Sequence, residues 1–445
     1  MNNRSDQLHN MSRRQFLMAA GGVTVAAALA ACAVPAPGGD SGGAASSEAQ
    51  QISFLVRPDI RNAYAADAAA EAWNQESEQK IVIDEPAGAA DQKIQAAVAA
   101  GDLIWDGFAV IEGPWGIESW VSRDLIQPLD DLIAVSTVAD ADKVVPAIIP
   151  SVLESSKYEG KQYTIPGNVG SVALGWFWEP LNAAGAEPPE TWDEVRAAAE
   201  AIKATSPDWT PFDAACSPLC DHISMIWGAT DAPLTDEGLV DWTGEASIAA
   251  LKWKQEMVAA ELMPGIHGES FGNWLKGGTA IMTSYDVHGT MAQQTFGEDA
   301  ATTGLNIKLE KDDIKAGAPF WLNGSVVLNG ANNAQGMMDF LLWWFGPNNK
   351  ATGEQIATVA AKPAYQYTYD DFIKGNSVQA WQLDGIELVR ESVPFPVNLF
   401  WGLQNSAAAP WIEKALDPGN NMSAEEAMES ALAEMHDEMA KMKQG

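Results

Sequence analysis

The strongest constraint on the fold is an alternation of short apolar runs with amphipathic segments that begins near residue 50. Apolar runs at 52–56, 80–84 and 105–111 predict three buried strands. Between them, apolar residues at helical spacing over 62–75 and 89–100 predict two helices. Because parallel strands need a crossover connection, this order predicts a parallel sheet with helices packed on its faces.

The same alternation continues along the chain. Thr191 and Glu194 form a capping-box pattern, which predicts a helix running to about residue 204. Further strands are predicted at 171–177, 279–283 and 325–328, and further helices at 247–260, 336–345 and 423–443. Since no obvious linker interrupts residues 51–445, the sequence predicts an α/β fold of two lobes, between which the chain passes more than once.

The first 31 residues read as an export signal and not as part of the fold. Arg13 and Arg14 precede an apolar run from Phe16 to Ala31, which is short for a bilayer span and typical of a signal peptide. The paired arginines resemble a twin-arginine export signal. The run ends in Leu-Ala-Ala-Cys, which resembles the bacterial lipobox and implies that Cys32 is acylated. A plain signal-anchor helix with an incidental cysteine is the alternative.

The residues after the signal and the overall charge restrict the partners. Residues 32–50 are rich in Pro, Gly, Ser and Ala, which predicts a flexible tether behind a lipidated Cys32. With 60 Asp and Glu against 26 Lys and Arg, the formal net charge is -34, which disfavours nucleic-acid binding. No other long apolar segment follows, so membrane contact is predicted through the lipid anchor only.

Several short segments follow one another in a specific order. They are a helix ending in Gly101-Asp102, LIQPLDD at 125–131, YEGKQYTIP at 158–166, PPETWDE at 188–194 and FGNWLKGGTAIM at 271–282. Together they resemble the extracytoplasmic solute-binding proteins of ABC transporters, in the sugar-binding group that includes maltose-binding protein. The resemblance covers most of residues 51–345. The chain departs at Phe177-Trp178-Glu179, where the family usually has Tyr-Asn-Lys.

The resemblance implies a periplasmic-binding-protein-like fold, with two lobes of mainly parallel sheet and a ligand cleft that closes about a hinge. We expect residues 51–168 with 311–360 in the N-terminal lobe, and 169–310 with 361–445 in the C-terminal lobe. The implied function is non-catalytic. The protein would capture a sugar at the outer face of the cell membrane and deliver it to an ABC importer permease. A monomer without a cofactor is expected.

The 18 tryptophans support a carbohydrate ligand. An indole ring can cover one apolar face of a pyranose and remove roughly 60 Å² from water, which contributes about 1.5 kcal/mol. Its N–H group can also donate a hydrogen bond. Several rings with a few Asp, Asn and Glu acceptors would therefore make a sugar site.

Position relative to the predicted strand ends selects the candidate ligand-binding residues, because open α/β sheets bind ligands at the carboxyl ends of their strands. The candidates selected by position are Arg57, Asp59, Glu112, Trp115, Trp176, Trp178, Tyr285, Asp286, Trp321 and Asn323. The family resemblance implies two more, Phe400 and Trp401, in a segment where the family often has a sugar-stacking aromatic residue. Trp176 fits the core as well as the cleft. Arg57 and Arg61 are either cleft residues, which would favour an anionic sugar, or surface charges. Five tryptophans at helical spacing are expected in the core: Trp73, Trp192, Trp253, Trp343 and Trp344.

Other chemistries have little support in the sequence. Cys216 and Cys220 lie in an exported chain, where a local disulfide is favoured over two free thiols. The five histidines show no metal-binding spacing, so no metal site is predicted. The segment 272–279 has Gly278 where a P-loop has lysine, so it is not expected to bind phosphates.

Two other functions stay open at this point. A surface-anchored glycoside hydrolase would also have an aromatic cleft, and it needs two carboxyl groups roughly 5–9 Å apart. A sugar receptor that feeds a sensor would share the cleft and differ only in its partner. The ordered family segments favour the binding protein over the hydrolase.

Overall fold

The structure is a computed structural model of the chain, in which residues 49–445 form one compact unit. It describes residues 51–86, 90–113, 116–214, 221–265, 270–297, 299–304, 306–311, 317, 319–359, 362–375, 385–387, 389–390, 393–395 and 401–442. The predicted signal peptide, Cys32 and the tether lie outside the described residues. Within the described ranges, no helix combines the length and apolar character needed to cross a membrane.

Short strands and helices alternate along the unit. The strands are β1 Ile52–Val56, β2 Ile81–Asp84, β3 Gly107–Gly113, β4 Lys157–Tyr158, β5 Lys161–Gln162, β6 Ile165–Phe177, β7 Thr210–Ala214, β8 Thr279–Tyr285, β9 Ala301–Thr303, β10 Phe320–Val327 and β11 Lys362–Pro363. The helices are α1 Pro58–Ala63, α2 Ala66–Glu76, α3 Ala90–Ala100, α4 Ile117–Ser122, α5 Asp130–Ala134, α6 Ala141–Val144, α7 Pro150–Ser155, α8 Trp178–Ala183, α9 Trp192–Thr205, α10 His222–Trp227, α11 Glu245–Ala259, α12 Ser270–Leu275, α13 Asp286–Phe296, α14 Ala334–Trp344, α15 Lys350–Thr358, α16 Gln366–Asp371, α17 Trp401–Leu416 and α18 Ala424–Met442.

One sheet connects the strands in the order β2-β1-β3-β10-β6-β8-β7, and β9 and β11 also pair with β6. The outer pairs are parallel: β1 with β2, β1 with β3, and β7 with β8. Strand β10 is antiparallel to both β3 and β6, and β6 is antiparallel to β8. The predicted α/β fold is confirmed, with parallel outer strands and antiparallel strands where the chain crosses between the lobes.

Local sequence signals explain several of these elements. The capping box forms as predicted, because Thr191 Oγ1 accepts from the Glu194 N–H at 3.2 Å while Glu194 Oε2 accepts from the Thr191 N–H. The single helix predicted over 62–75 is wrong in detail, since α1 and α2 replace it. Ala65 has a φ of 49° in the left-handed region, where no α-helix continues.

Strand β6 joins the two lobes. It has 13 residues, all buried, and is the longest strand described. Its Ile165 and Val169 belong to the core of the first lobe, whereas Leu174 and Trp176 belong to the core of the second. We call residues 168–172 of β6 the hinge segment, because the strand leaves one core and enters the other there.

Aromatic side chains fill much of the first-lobe core. The Trp344 ring lies 5.7 Å from Phe54 and 5.9 Å from Tyr64 between ring centroids, both edge to face. Of the tryptophans expected in the core, Trp73, Trp192, Trp253 and Trp344 are buried and Trp343 is partly buried. These rings therefore stabilise the lobes and are not available to a ligand.

Core packing indicates to which lobe the later segments of the chain belong. Residues between Ala364 and Val389 pack into the first-lobe core, whereas Phe395 and helices α17 and α18 pack into the second. The predicted boundary at residue 360 stays a prediction. We propose that the last crossing falls between Val389 and Phe395, which would move residues 361–389 to the first lobe.

Candidate ligand-binding site

The carboxyl ends of the first-lobe strands meet the hinge segment. Arg57 follows β1, and its N–H donates to Ala109 O of β3 at 2.8 Å. Since β10 runs antiparallel to β3, its first residues lie beside the end of β3, and Asn323 pairs with Glu112. Asn323 also pairs with Asn168 of β6. The structure thus brings the backbones of these predicted site residues to one edge of the sheet.

Both arginines at this edge are engaged by carboxylates. Arg57 donates to Asp59 through Nε at 3.1 Å and through Nη2 at 2.6 Å. Burial raises the pKa of Asp59, but the hydrogen bonds and charge of Arg57 outweigh it, so the pKa of Asp59 lies below its ordinary value. Arg61 pairs with Asp67 at 2.8 Å and with Glu85 at 3.3 Å. The positive charges after β1 are therefore matched by carboxylates.

A network of polar side chains that the sequence analysis missed lies beside the arginines. Tyr64 is 1% exposed, and its hydroxyl donates to Asn168 Oδ1. Asn323 Nδ2 donates to the same oxygen at 3.1 Å. The one sequence signal for Asn168 was an amide in a largely apolar segment, where a polar group must find partners.

Two aromatic rings from the strands on either side of β6 meet at the hinge segment. Trp321 of β10 pairs with Gly170, and Tyr285 at the end of β8 pairs with Val172. Their ring centroids are 4.9 Å apart with an interplanar angle of 74°. A Cβ atom at Gly170 would lie 2.5 Å from the Trp321 ring, so glycine is required there for the close approach. Both side chains are partly exposed at the hinge segment.

His288 supports Tyr285 from helix α13. The rings of the two residues lie 5.2 Å apart, and the Tyr285 N–H donates to His288 Nδ1 at 3.4 Å. Burial lowers the pKa of His288 to about 4, so its imidazole is neutral at neutral pH. The ring therefore adds a hydrogen-bonding group to the site without adding charge.

Trp176 and Trp178 lie away from this aromatic pair. Trp176 is 7% exposed inside the second-lobe core, and the Trp178 ring meets it edge to face at 5.8 Å. A strand rises about 3.3 Å per residue, so Trp176 lies roughly 20 Å along β6 from Gly170. The structure does not bring these two tryptophans together with Trp321, and Trp176 has the environment of a core residue.

Lysine 362 is a second residue that the sequence analysis missed. It lies on β11 opposite Val169 of the hinge segment, and it is 1% exposed. Its Nζ donates to Ser171 Oγ at 2.6 Å. Burial lowers the pKa of Lys362 to about 7. This lysine therefore loses its proton far more easily than an exposed lysine.

The side chains of several other predicted residues lie outside the described part of the structure. Trp115, Phe400, Cys216 and Cys220 lie outside the described residues, and the structure describes Glu112, Asp286 and Trp401 by their backbone alone. Across the described ranges, no group of three or more His, Cys, Asp and Glu side chains is placed to hold a metal ion. The described side chains at the junction of the lobes are therefore an aromatic pair, two asparagine amides, and arginines that are paired with carboxylates.

The structure has two α/β lobes that are joined by a long crossing strand. Aromatic and polar side chains lie at the junction of the lobes. This architecture defines the class of two-lobed solute-binding folds. Residues 57–215 match the sequence model of the family described as bacterial extracellular solute-binding protein. The predicted resemblance to extracytoplasmic solute-binding proteins is confirmed over these residues. No protein with a curated description matches the chain.

Solved structures match the fold across most of the chain. The cyclic alpha-maltosyl-1,6-maltose binding protein from Arthrobacter globiformis is 16% identical, with a TM-score of 0.73 over 89% of this chain and 100% of that one. The sugar-binding protein MalE from Xanthomonas citri is 17% identical, with a TM-score of 0.72 over 89% and 100%. The GacH receptor of Streptomyces glaucescens is 18% identical, with a TM-score of 0.70 over 88% and 97%. These likenesses establish the fold.

Proposed function

We propose that this chain is an extracytoplasmic carbohydrate-binding protein that captures a sugar between its lobes and delivers it to an ABC importer permease. The observation that carries the proposal is the pairing of Trp321 with Tyr285 at the hinge segment. Two partly exposed rings, from the two strands that flank β6, meet there beside the amides of Asn168 and Asn323. Apolar rings next to neutral hydrogen-bonding groups match the two faces and the hydroxyl rim of a pyranose.

The charges at the site favour an uncharged saccharide. An anionic sugar would need a cation to pair with it, and Arg57 is already engaged by Asp59. Arg61 is engaged by Asp67 and Glu85. We therefore place neutral saccharides ahead of sugar phosphates and uronic acids.

The comparisons support this proposal. The three similar structures carry names that describe a cyclic maltosyl-maltose binding protein, a sugar-binding protein and a receptor studied with acarbose. The matched family is described as extracellular and solute-binding. We further propose that the present chain is a non-catalytic, lipid-anchored monomer. A sugar receptor that signals to a sensor would use the same site.

A saccharide titration tests the proposed function. We expect a neutral saccharide to change the tryptophan fluorescence saturably and to be recovered unchanged. Trp321→Leu removes one ring face and should weaken binding about tenfold, since burial of that face contributes on the order of 1.5 kcal/mol. Isothermal titration calorimetry measures the affinity.

The matched control is Trp343→Leu, because Trp343 is also partly buried but packs on the first-lobe core. It should leave the affinity unchanged. Binding of amino acids or metal ions without any saccharide would refute the proposal, and chemical cleavage of the sugar would show a glycoside hydrolase instead.

Export and anchoring need a separate test, since Cys32 lies outside the described residues. Cys32→Ala should abolish membrane attachment or leave the precursor unprocessed, because two or more acyl chains are needed for stable anchoring. Cell fractionation with immunoblotting measures the outcome. Ser41→Ala in the tether is the control and should stay membrane-bound. Unaltered attachment of the Cys32 variant would show that the anchor was misinterpreted.

A further inference from the structure

The amide of Asn168 is held in one orientation at the hinge segment. Asn168 is 7% exposed, and its Oδ1 accepts from both the Tyr64 hydroxyl and Asn323 Nδ2. An amide has one acceptor oxygen and one NH₂ donor group on opposite branches. Because both donors approach the oxygen, the Nδ2 group of Asn168 must lie on the other branch. Tyr64 is itself buried, so this arrangement is rigid.

Two hydrogen-bonding groups of this network have no partner within the part of the chain that the structure describes. Among the residues that the structure describes, none accepts from Asn168 Nδ2 and none donates to Asn323 Oδ1. Asn323 is partly exposed, whereas Asn168 is almost fully buried. Neither atom is among the fully enclosed, unpartnered polar atoms of the described residues, so a ligand that supplies an acceptor or a donor can reach them.

The aromatic ring next to these amides sets the direction of approach. Trp321 and Asn323 are two residues apart on β10, so their side chains stand on the same face of the strand. Their Cα atoms are about 7 Å apart at that spacing, which is close to the width of a pyranose ring with its hydroxyls. A sugar stacked on Trp321 would therefore present its rim to Asn323 and Asn168.

We propose that Asn168 and Asn323 form a donor–acceptor pair that selects a sugar with two adjacent free hydroxyl groups. Asn168 Nδ2 donates to the oxygen of one hydroxyl, and Asn323 Oδ1 accepts from the hydroxyl beside it. The inference rests on the proposed function and names two specificity residues within it. It predicts that a deoxy or O-methyl sugar that lacks one of these hydroxyls is rejected.

Asn168→Asp tests the pair with little change in shape. The carboxylate can still accept from Tyr64 and Asn323, but it cannot donate to the sugar and repels its oxygen. We expect the affinity for the tightest neutral saccharide to fall about 10- to 100-fold, as for other lost hydrogen bonds to a bound hydroxyl. Calorimetry on the full exported chain measures it.

Asn333→Asp is the matched control. Asn333 is also 7% exposed, and it caps helix α14 by accepting from the Gly336 N–H, which aspartate can do as well. This variant should bind the sugar as the wild type does. Thermal unfolding of both variants shows whether the fold is retained.

A measurement on the unchanged protein covers the case in which Asn168→Asp does not fold. Single deoxy analogues of the tightest saccharide are titrated against the wild type. Loss of one of two adjacent hydroxyls should weaken binding at least tenfold, and Asn168→Asp should remove the penalty for that hydroxyl. Equal binding by Asn168→Asp, or equal binding of all deoxy analogues, overturns the role of Asn168. If the wild type binds no saccharide at all, the proposed function itself fails and this inference falls with it.

Discussion

Lys254→Met should lower the free energy of unfolding by about 3–5 kcal/mol, the typical result of removing one member of a buried ion pair. Lys254 on α11 and Asp221 before α10 have side chains that are only 1% and 3% exposed, and the lysine Nζ donates to Asp221 Oδ2. Desolvation lowers the pKa of Lys254, and the charge of Asp221 opposes that shift. Urea unfolding at neutral pH measures the loss.

The neighbouring histidine offers no replacement for the lost positive charge. His222 stacks on Trp242 at 5.9 Å, and its Nε2 lies 3.0 Å from Ser247 Oγ. Burial lowers the pKa of His222 to about 3, so the imidazole is neutral at neutral pH. Removal of Lys254 therefore leaves the Asp221 carboxylate buried beside a neutral ring.

Two further variants separate this explanation from a general packing effect. Lys203→Met breaks an exposed pair with Glu261 by the same chemical change, and it should cost less than about 1 kcal/mol. Adding Asp221→Asn to Lys254→Met removes the remaining charge and should restore much of the stability. A Lys254→Met variant that unfolds at the same urea concentration as Lys203→Met would contradict the prediction.

Much of the fold could be predicted because its signals are local. The apolar run at 52–56 is short and bounded by polar residues, which is typical of a buried parallel strand, and it became β1. Thr191 and Glu194 satisfy each other's backbone groups within four residues, so the start of α9 needs no distant partner. The break at Ala65 was missed because alanine carries no signal for the left-handed conformation that it adopts.

The candidate site was only partly predictable, because its contacts join distant parts of the chain. Trp321 was selected by its position before a predicted strand, and the structure places it against Tyr285, 36 residues earlier in the sequence. Asn168 could not be selected in this way, since its partners Tyr64 and Asn323 lie 104 and 155 residues away. Composition and periodicity carry no information about such distant pairings.

The burial and pKa of Lys362 could not be predicted from the sequence either. A lysine before a proline reads as a surface residue, because lysine is almost never fully buried unless it is paired. Strand β11 instead places it against the hinge segment, where Ser171 accepts from its Nζ and Gly385 lies over its side chain. The chemical behaviour of this residue follows from its burial and not from its sequence neighbours.

The wild-type protein should gain stability relative to Lys362→Met as the pH rises from about 7 to about 10. The folded-state pKa of Lys362 is about 7, whereas an unfolded lysine has a pKa of about 10.4. Between these values the unfolded chain binds a proton that the folded chain does not, so the free energy of unfolding increases with pH. The slope is about 1.4 kcal/mol per pH unit, or roughly 3 kcal/mol between about pH 7.5 and pH 9.5.

Urea unfolding of both proteins across this pH range measures the difference in their free energies of unfolding. The contributions of the other titrating groups cancel in this difference, because both proteins share those groups. Below about pH 7 the lysine is protonated in both states, so the difference should become flat. Lys350→Met is the control, because Lys350 is exposed and its hydrogen bond with Asp371 raises its pKa. The difference in free energy of unfolding between this variant and the wild type should therefore stay constant up to about pH 10. A flat or falling difference for Lys362→Met would mean that the hinge segment does not hold this lysine in its neutral form.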